Sequence, residues 1–140
     1  MDDHEIEPQA VDSAITRSAI FLVATFNPGD DSRDRVRTLC ADLGGLVRSL
    51  GKRVPSGNLS CVIGFGAAVW DGLFGAPRPA GLHAFREFGS GERKAVATPG
   101  DILLHIRAEH MDLCFELAAL VVKRLGQAVT MVDEVQGFRY

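Results

Sequence analysis

The chain has 140 residues, of which 46% are hydrophobic and 24% are charged, and its net charge is −3 at pH 7. This composition is typical of one globular domain with its own core and excludes a largely disordered chain. A nucleic-acid-binding surface would shift the balance to basic, so nucleic acid is not an expected partner. The longest apolar runs, residues 19–24 and 117–122, are far too short to span a membrane.

The N-terminus and the cysteines indicate a cytoplasmic protein. The first five residues, Met-Asp-Asp-His-Glu, are acidic, whereas a secretory signal begins basic and continues apolar. Cys40, Cys61 and Cys114 are far apart and odd in number, which argues against a disulfide framework or a zinc site. We therefore expect reduced thiols in apolar surroundings, no metal ligands and no membrane partner.

The first half of the chain predicts an arm, a strand and a helix. Residues 1–17 are polar and acidic and are predicted to form an N-terminal arm. Residues 18–26 are apolar and end at Asn-Pro-Gly, which predicts a buried strand. Apolar residues at helical spacing over 36–50 predict a helix. The pair Gly44 and Gly45 inside it predicts a close approach of this helix to a sheet.

A second strand is predicted over residues 59–65, where the chain is again short, apolar and rich in branched side chains. Residues 66–75 predict a short helical turn. Residues 76–100 contain three prolines and four glycines, which predicts a long irregular loop.

The last part of the chain repeats the pattern of strand, helix and strand. Residues 101–107 alternate as a strand does, residues 111–125 carry a helical apolar stripe, and a final strand runs from residue 128 toward 140. The order is β-α-β, a connection, then β-α-β. We therefore predict an α+β fold for residues 18–140, a single ferredoxin-like βαββαβ domain with a four-stranded antiparallel sheet and helices on one face.

Two helices can cover only one face of such a sheet, yet the predicted strands are apolar on both sides. In the third strand Ile102, Leu104 and Ile106 face one way, while Leu103 and His105 face the other. We therefore expect the second face to be buried as well, against a second sheet from another domain or another subunit.

No complete catalytic set is visible in the sequence. The histidines lack metal-ligand spacing, and His105 fits a core or interface position better than a metal site. The glycines at 64 and 66 match neither a dinucleotide-binding loop nor a P-loop. The sequence shows no recognisable nucleophilic arrangement, either of serine, histidine and an acidic residue or of cysteine and histidine.

Three segments, residues 63–70 (Ile-Gly-Phe-Gly-Ala-Ala-Val-Trp), 98–107 (Thr-Pro-Gly-Asp-Ile-Leu-Leu-His-Ile-Arg) and 135–140 (Val-Gln-Gly-Phe-Arg-Tyr), carry a family resemblance. In order and spacing the chain resembles the dye-decolourising (DyP-type) haem peroxidases over residues 8–140. The resemblance implies an N-terminal half of an enzyme whose two ferredoxin-like halves face each other as an α+β barrel. It implies haem b and hydrogen peroxide as cofactor and oxidant, and dyes, phenolics or porphyrin-like compounds as substrates.

The resemblance carries over no catalytic residue and no metal ligand. The family's G-x-x-D-G aspartate, distal arginine and haem-ligating histidine correspond to no position up to Tyr140. This implies that the chain alone is inactive, binds no haem, and pairs its open sheet face with the missing C-terminal domain or with a second copy as a homo-oligomer. His105 and Arg107 are the only cofactor-binding candidates, and they are weak ones.

Two other hypotheses remain at this point. One is a stand-alone dimeric α+β-barrel protein, either a small monooxygenase-like enzyme or a ligand-binding module, with His105 and Arg107 in a cavity between two sheets. The other is a regulatory or assembly domain without any chemistry of its own.

Overall fold

The computed structural model describes residues 7–75 and 77–140, so the first six residues of the predicted arm lie outside the described part. Strands and α-helices follow in this order: β1 (Ser18–Phe26), α1 (Asp30–Gly51), β2 (Ser60–Phe65), α2 (Ala67–Phe74), β3 (Phe88–Ser90), β4 (Arg93–Ala95), β5 (Ile102–Ala108), α3 (Met111–Leu125) and β6 (Val129–Phe138).

The main sheet has the strand order β2-β5-β1-β6, and all its neighbours are antiparallel. β1 and β5 are central, while β2 and β6 are the edges. Helices α1 and α3 connect the strands of each βαβ unit, and both pack on the same side of the sheet. This arrangement confirms the predicted ferredoxin-like α+β fold.

The core lies between one face of the sheet and the two long helices. Ile102, Leu104 and Ile106 of β5 are at most 1% exposed, whereas Leu103 between them is 42% exposed. The period of two in a strand places these neighbours on opposite faces, as the sequence predicts. From α3, the apolar stripe that completes this core comprises Leu113, Cys114, Leu117, Ala118, Val121 and Leu125.

Gly126 ends α3 with a φ of +50°, a left-handed conformation that glycine adopts without a Cβ clash. The prediction that the glycine pair inside α1 brings this helix close to the sheet is wrong. Gly44 and Gly45 are exposed, and a Cβ on Gly45 would meet nothing within 4 Å. The pair therefore does not bring α1 closer to the sheet, and its cost in helix propensity has no packing reason.

The connection between the two βαβ units contains more structure than its composition indicates. α2 follows β2 directly, and β3 and β4 then form a small hairpin with Gly91 at its turn, at a φ of +61°. Most of the residues in this hairpin are exposed.

Among the described residues, no helix is both long and apolar enough to cross a membrane.

The two faces of β5 give a matched test of this fold. Leu104→Ala leaves a cavity in a fully buried site and should lower the free energy of unfolding by about 2–5 kcal/mol. The neighbouring Leu103→Ala removes the same atoms from a half-exposed site and should cost below about 1 kcal/mol. Urea unfolding followed by circular dichroism measures both values, and equal losses would contradict the assignment of the two faces.

Candidate functional site

The face of the main sheet that points away from the helices is here called the open face. The strand register places its side chains in three rows across the sheet. From β2 to β6, the rows are Ser60-Arg107-Ala19-Gly137, Val62-His105-Phe21-Val135 and Gly64-Leu103-Val23-Asp133.

The open face is largely apolar and incompletely covered. Leu103 is 42% exposed and Val135 is 49% exposed, while Phe21, Val23 and Val62 are half-buried. No helix of the described chain packs on this side. A contiguous apolar surface of this kind typically marks a place where another protein surface binds.

At the centre of the open face, His105 stacks on Phe21 across the β1–β5 pair. The two ring centroids are 4.2 Å apart and the ring planes differ by 14°. Burial lowers the pKa of the His105 imidazole below its ordinary value, and the nearby positive charge of Arg107 lowers it further. The neutral form of this histidine is therefore favoured in the folded chain.

Arg107, in the next row, is only 5% exposed. Its Nη1 donates a hydrogen bond to the carbonyl oxygen of Ser13 at 3.2 Å, and its Nη2 donates to that of Ala10 at 3.0 Å. The side-chain amide of Gln9 pairs with both the backbone N–H and the carbonyl of Ile63 on the edge strand β2, at 2.8 and 2.9 Å. The described part of the arm is therefore held across the end of the sheet.

A shallow depression of roughly 310 Å³ lies at the Arg107 end of the open face. Its floor exists because the positions beside Arg107 are the small residues Ala19 and Gly137. Its walls are the stacked rings of His105 and Phe21, the segment just before β1 and the segment around the end of β6. The complete lining consists of Ile15, Thr16, Arg17, Ser18, Ala19, Phe21, His105, Arg107, Gly137, Phe138 and Arg139.

Both predicted cofactor-binding candidates, His105 and Arg107, thus face the same depression. Sequence reasoning missed the arm contacts and the rim arginines Arg17 and Arg139. Gln9 and Ile63 are 54 positions apart, and Arg107 and Ala10 are 97 apart, so no local pattern could reveal these pairs. His110, at the N-cap of α3, is exposed and lies outside the depression.

The residues of the open face do not fit an iron-ligating haem site. An axial histidine presents a ring nitrogen to the metal, and a hydrogen bond at its other nitrogen orients it. His105 instead lies flat against Phe21, and its ring makes no hydrogen bond to the described residues. The described residues also contain no group of three or more metal-ligating side chains.

The cysteines offer no alternative chemistry. All three are free thiols, with Cys114 buried and Cys40 and Cys61 half-buried. Burial raises the pKa of Cys61 to about 12 and that of Cys114 to about 11. These thiols therefore stay protonated at neutral pH, as expected for packing residues rather than nucleophiles.

The coupling between His105 and Arg107 predicts a measurable pH response. By proton NMR, His105 should titrate below its ordinary value of 6.5. In Arg107→Gln the pKa should rise, because the variant removes a positive charge and releases the arm. As pH falls below about 6.5, the unfolded chain binds a proton here before the folded chain does, so the free energy of unfolding should decrease.

The exposed Arg53, which pairs with Glu116 at 2.7 Å on the helix layer, provides the control. Arg53→Gln removes the same charge but should leave the His105 titration unchanged. An equal response in both variants would show that net charge, rather than Arg107 itself, sets the pKa of His105.

Comparison with known proteins agrees with this geometry. A family model described as "Dyp-type peroxidase, N-terminal" matches residues 8–139. Dye-decolorizing peroxidases from Rhodococcus erythropolis and Mycobacterium tuberculosis are each 49% identical to the chain, over 95% and 96% of its length. These alignments cover only 38% and 40% of the two relatives, so the chain spans about two fifths of their length.

Solved structures give the same result. The encapsulated DyP-type peroxidase from Mycobacterium smegmatis superposes with a TM-score of 0.90 at 48% identity. A Rhodococcus jostii RHA1 DypB variant in complex with heme also superposes with a TM-score of 0.90, at 42% identity. Each match covers 96% of this chain and 43% of the other chain. The chain therefore belongs to the DyP-type peroxidase family and is similar to the N-terminal part of its members.

Proposed function

We propose that this chain is the N-terminal domain of a haem-dependent peroxidase, and that its open face packs against a C-terminal domain that holds the haem. The observation that carries this proposal is the apolar open face, which the described chain covers only in part. The intact protein would use hydrogen peroxide to oxidise dyes, phenolics or porphyrin-like compounds. Residues 18–140 would form the domain and residues 1–17 its N-terminal arm, whose described part contacts Ile63 and Arg107.

The side chains of the open face indicate what this domain would contribute to the intact protein. Haem supplies the oxidising chemistry when it is bound, but the described residues of the open face provide no axial imidazole, since His105 lies flat against Phe21. None of them is therefore assigned to the peroxide chemistry. Their role is to form one apolar wall of the protein, in which Phe21, Val23 and Leu103 pack against the second domain and exclude water.

The alternative of a stand-alone dimeric barrel with its own ligand chemistry is not favoured. The family match extends over nearly the whole chain, and the related proteins are more than twice as long. A cytoplasmic location remains part of the proposal, and three free thiols are compatible with it.

A chimera tests the proposed function. This chain, followed by the C-terminal remainder of the Rhodococcus erythropolis relative, should bind haem with a Soret absorption band and oxidise a dye when peroxide is added. The chain alone should do neither, because the described residues of the open face offer no iron ligand. Stoichiometric haem binding and peroxide turnover by the chain alone would contradict the proposal, as would a folded chimera that binds no haem.

A second prediction concerns the open face in the free chain. We expect the free chain to pair this face with a second copy, because burying the exposed apolar side chains is favourable. Leu103→Asp places a charge at the centre of that contact and should shift the chain to monomer in size-exclusion chromatography with light scattering.

The control for this prediction lies on the helix layer. Phe115 is 65% exposed on α3, so Phe115→Asp introduces the same charge far from the open face and should leave the oligomeric state unchanged. A dimer that survives Leu103→Asp would show that the copies do not meet through the open face.

A further inference from the structure

Arg107 is the one charged residue among the described residues that is buried, at 5% exposed. Its position on the open face has no structural requirement for a cation, since the neighbouring positions across the sheet are Ser60 and Ala19. Burying a guanidinium is unfavourable unless its charge and its N–H groups find partners. The hydrogen-bond and charge partners of the Arg107 guanidinium therefore indicate what this position requires.

The described residues provide only some of the partners that the buried guanidinium of Arg107 needs. Two of the five N–H groups of Arg107 donate to the arm carbonyls of Ala10 and Ser13. The Nε–H is buried and has no hydrogen-bond partner in the part of the chain that the structure describes. Among the described side chains, no carboxylate forms an ion pair with this guanidinium, although five exposed arginines elsewhere each have one. The buried charge therefore has no counter-charge among residues 7–75 and 77–140.

The surroundings of Arg107 would favour an anion. The depression that it lines also has Arg17 and Arg139 at its rim and contains no acidic residue. A Cβ on Gly137, two strands away, would meet no atom within 4 Å, so the part of the depression over β6 is open. Burial lowers the pKa of His105 and the charge of Arg107 lowers it further, whereas burial raises the pKa of Cys61 and the charge of Arg107 only opposes that rise.

We propose that Arg107 receives a side-chain carboxylate from the domain that covers the open face, and that this ion pair sets the position of one sheet on the other. The planar guanidinium fork matches the two oxygens of a carboxylate, and such pairs are stronger and more directional than neutral hydrogen bonds. Apart from Asp133 at the opposite end, the rest of the open face is largely apolar and imposes little register, so one buried pair at the Arg107 end can select a single docking position.

This inference rests on the proposed function, because it names the chemistry of the partner at the same face. The occupant is an aspartate or glutamate of a protein surface rather than a free anion, since the depression is continuous with the apolar face that needs a protein cover. The arm contributes as well, because its two carbonyls hold the guanidinium in place before the partner arrives.

The experiment compares the free chain with the chimera described above, using the ¹⁵N–¹H signal of the Arg107 Nε–H, assigned through Arg107→Gln. In the free chain, kept monomeric by Leu103→Asp so that the open face is unoccupied, added sodium acetate should shift this signal and sodium chloride should not. In the chimera the signal should lie downfield without acetate and should no longer respond to it, because the partner's carboxylate already occupies the site.

Thermal unfolding gives an independent readout. Arg107→Gln should lower the unfolding temperature of the chimera by about 5–15 °C, and by clearly less in the free chain, because it leaves the partner's carboxylate buried and unpaired. Arg53→Gln, which breaks an exposed pair, should change both temperatures by less than about 2 °C. If Arg107→Gln does not fold, the acetate responses of the free chain and the chimera that retain Arg107 decide whether a carboxylate of the partner occupies the site.

The outcomes separate this inference from the proposed function. A chimera that binds haem but keeps the Arg107 signal of the free chain, including its acetate response, overturns the inference alone. A chimera that binds no haem overturns the proposed function, and the Arg107 signal still reports whether a carboxylate reaches this guanidinium. Equal losses from Arg107→Gln in the free chain and the chimera would also overturn the inference.

Discussion

The alternation of side chains along four antiparallel strands is the constraint on which the whole molecule depends. Because neighbouring residues of a strand point to opposite faces, β5 sends Leu104 into the core and Leu103 away from it. Two crossover helices of this length cover one face and leave the other apolar and open. The stability of the chain comes from the covered face, while its capacity to bind another surface lies in the open one.

The open face is not uniform, and its two ends differ in chemistry. One end holds a buried guanidinium, clamped by the arm and surrounded by further arginines, while the row at the other end includes Asp133. Between them lie the His105–Phe21 stack and aliphatic side chains. An apolar centre provides most of the binding energy of an interface, and a buried charge at one end adds direction, so the two features are complementary.

The arm links these features to the edge of the sheet. The Gln9 amide bonds both backbone groups of Ile63 on β2, which is an edge strand. An unprotected edge offers its backbone groups to other strands, and a side-chain amide in that place blocks such pairing. The same segment supplies the two carbonyls that hold Arg107. The arm therefore protects one edge and organises one end of the open face.

Local sequence patterns were sufficient for the elements of the main sheet and its two long helices, and for which face of β5 is buried, because these depend on periodicities of 2 and 3.6 residues. The quoted motifs were sufficient for the family. The capture of Arg107 by Ala10 and Ser13, the Gln9 contact with Ile63 and the depression above Ala19 and Gly137 were decided only by the tertiary structure. Each of these joins residues from distant parts of the chain, and a pattern confined to neighbouring residues contains no information about such pairs.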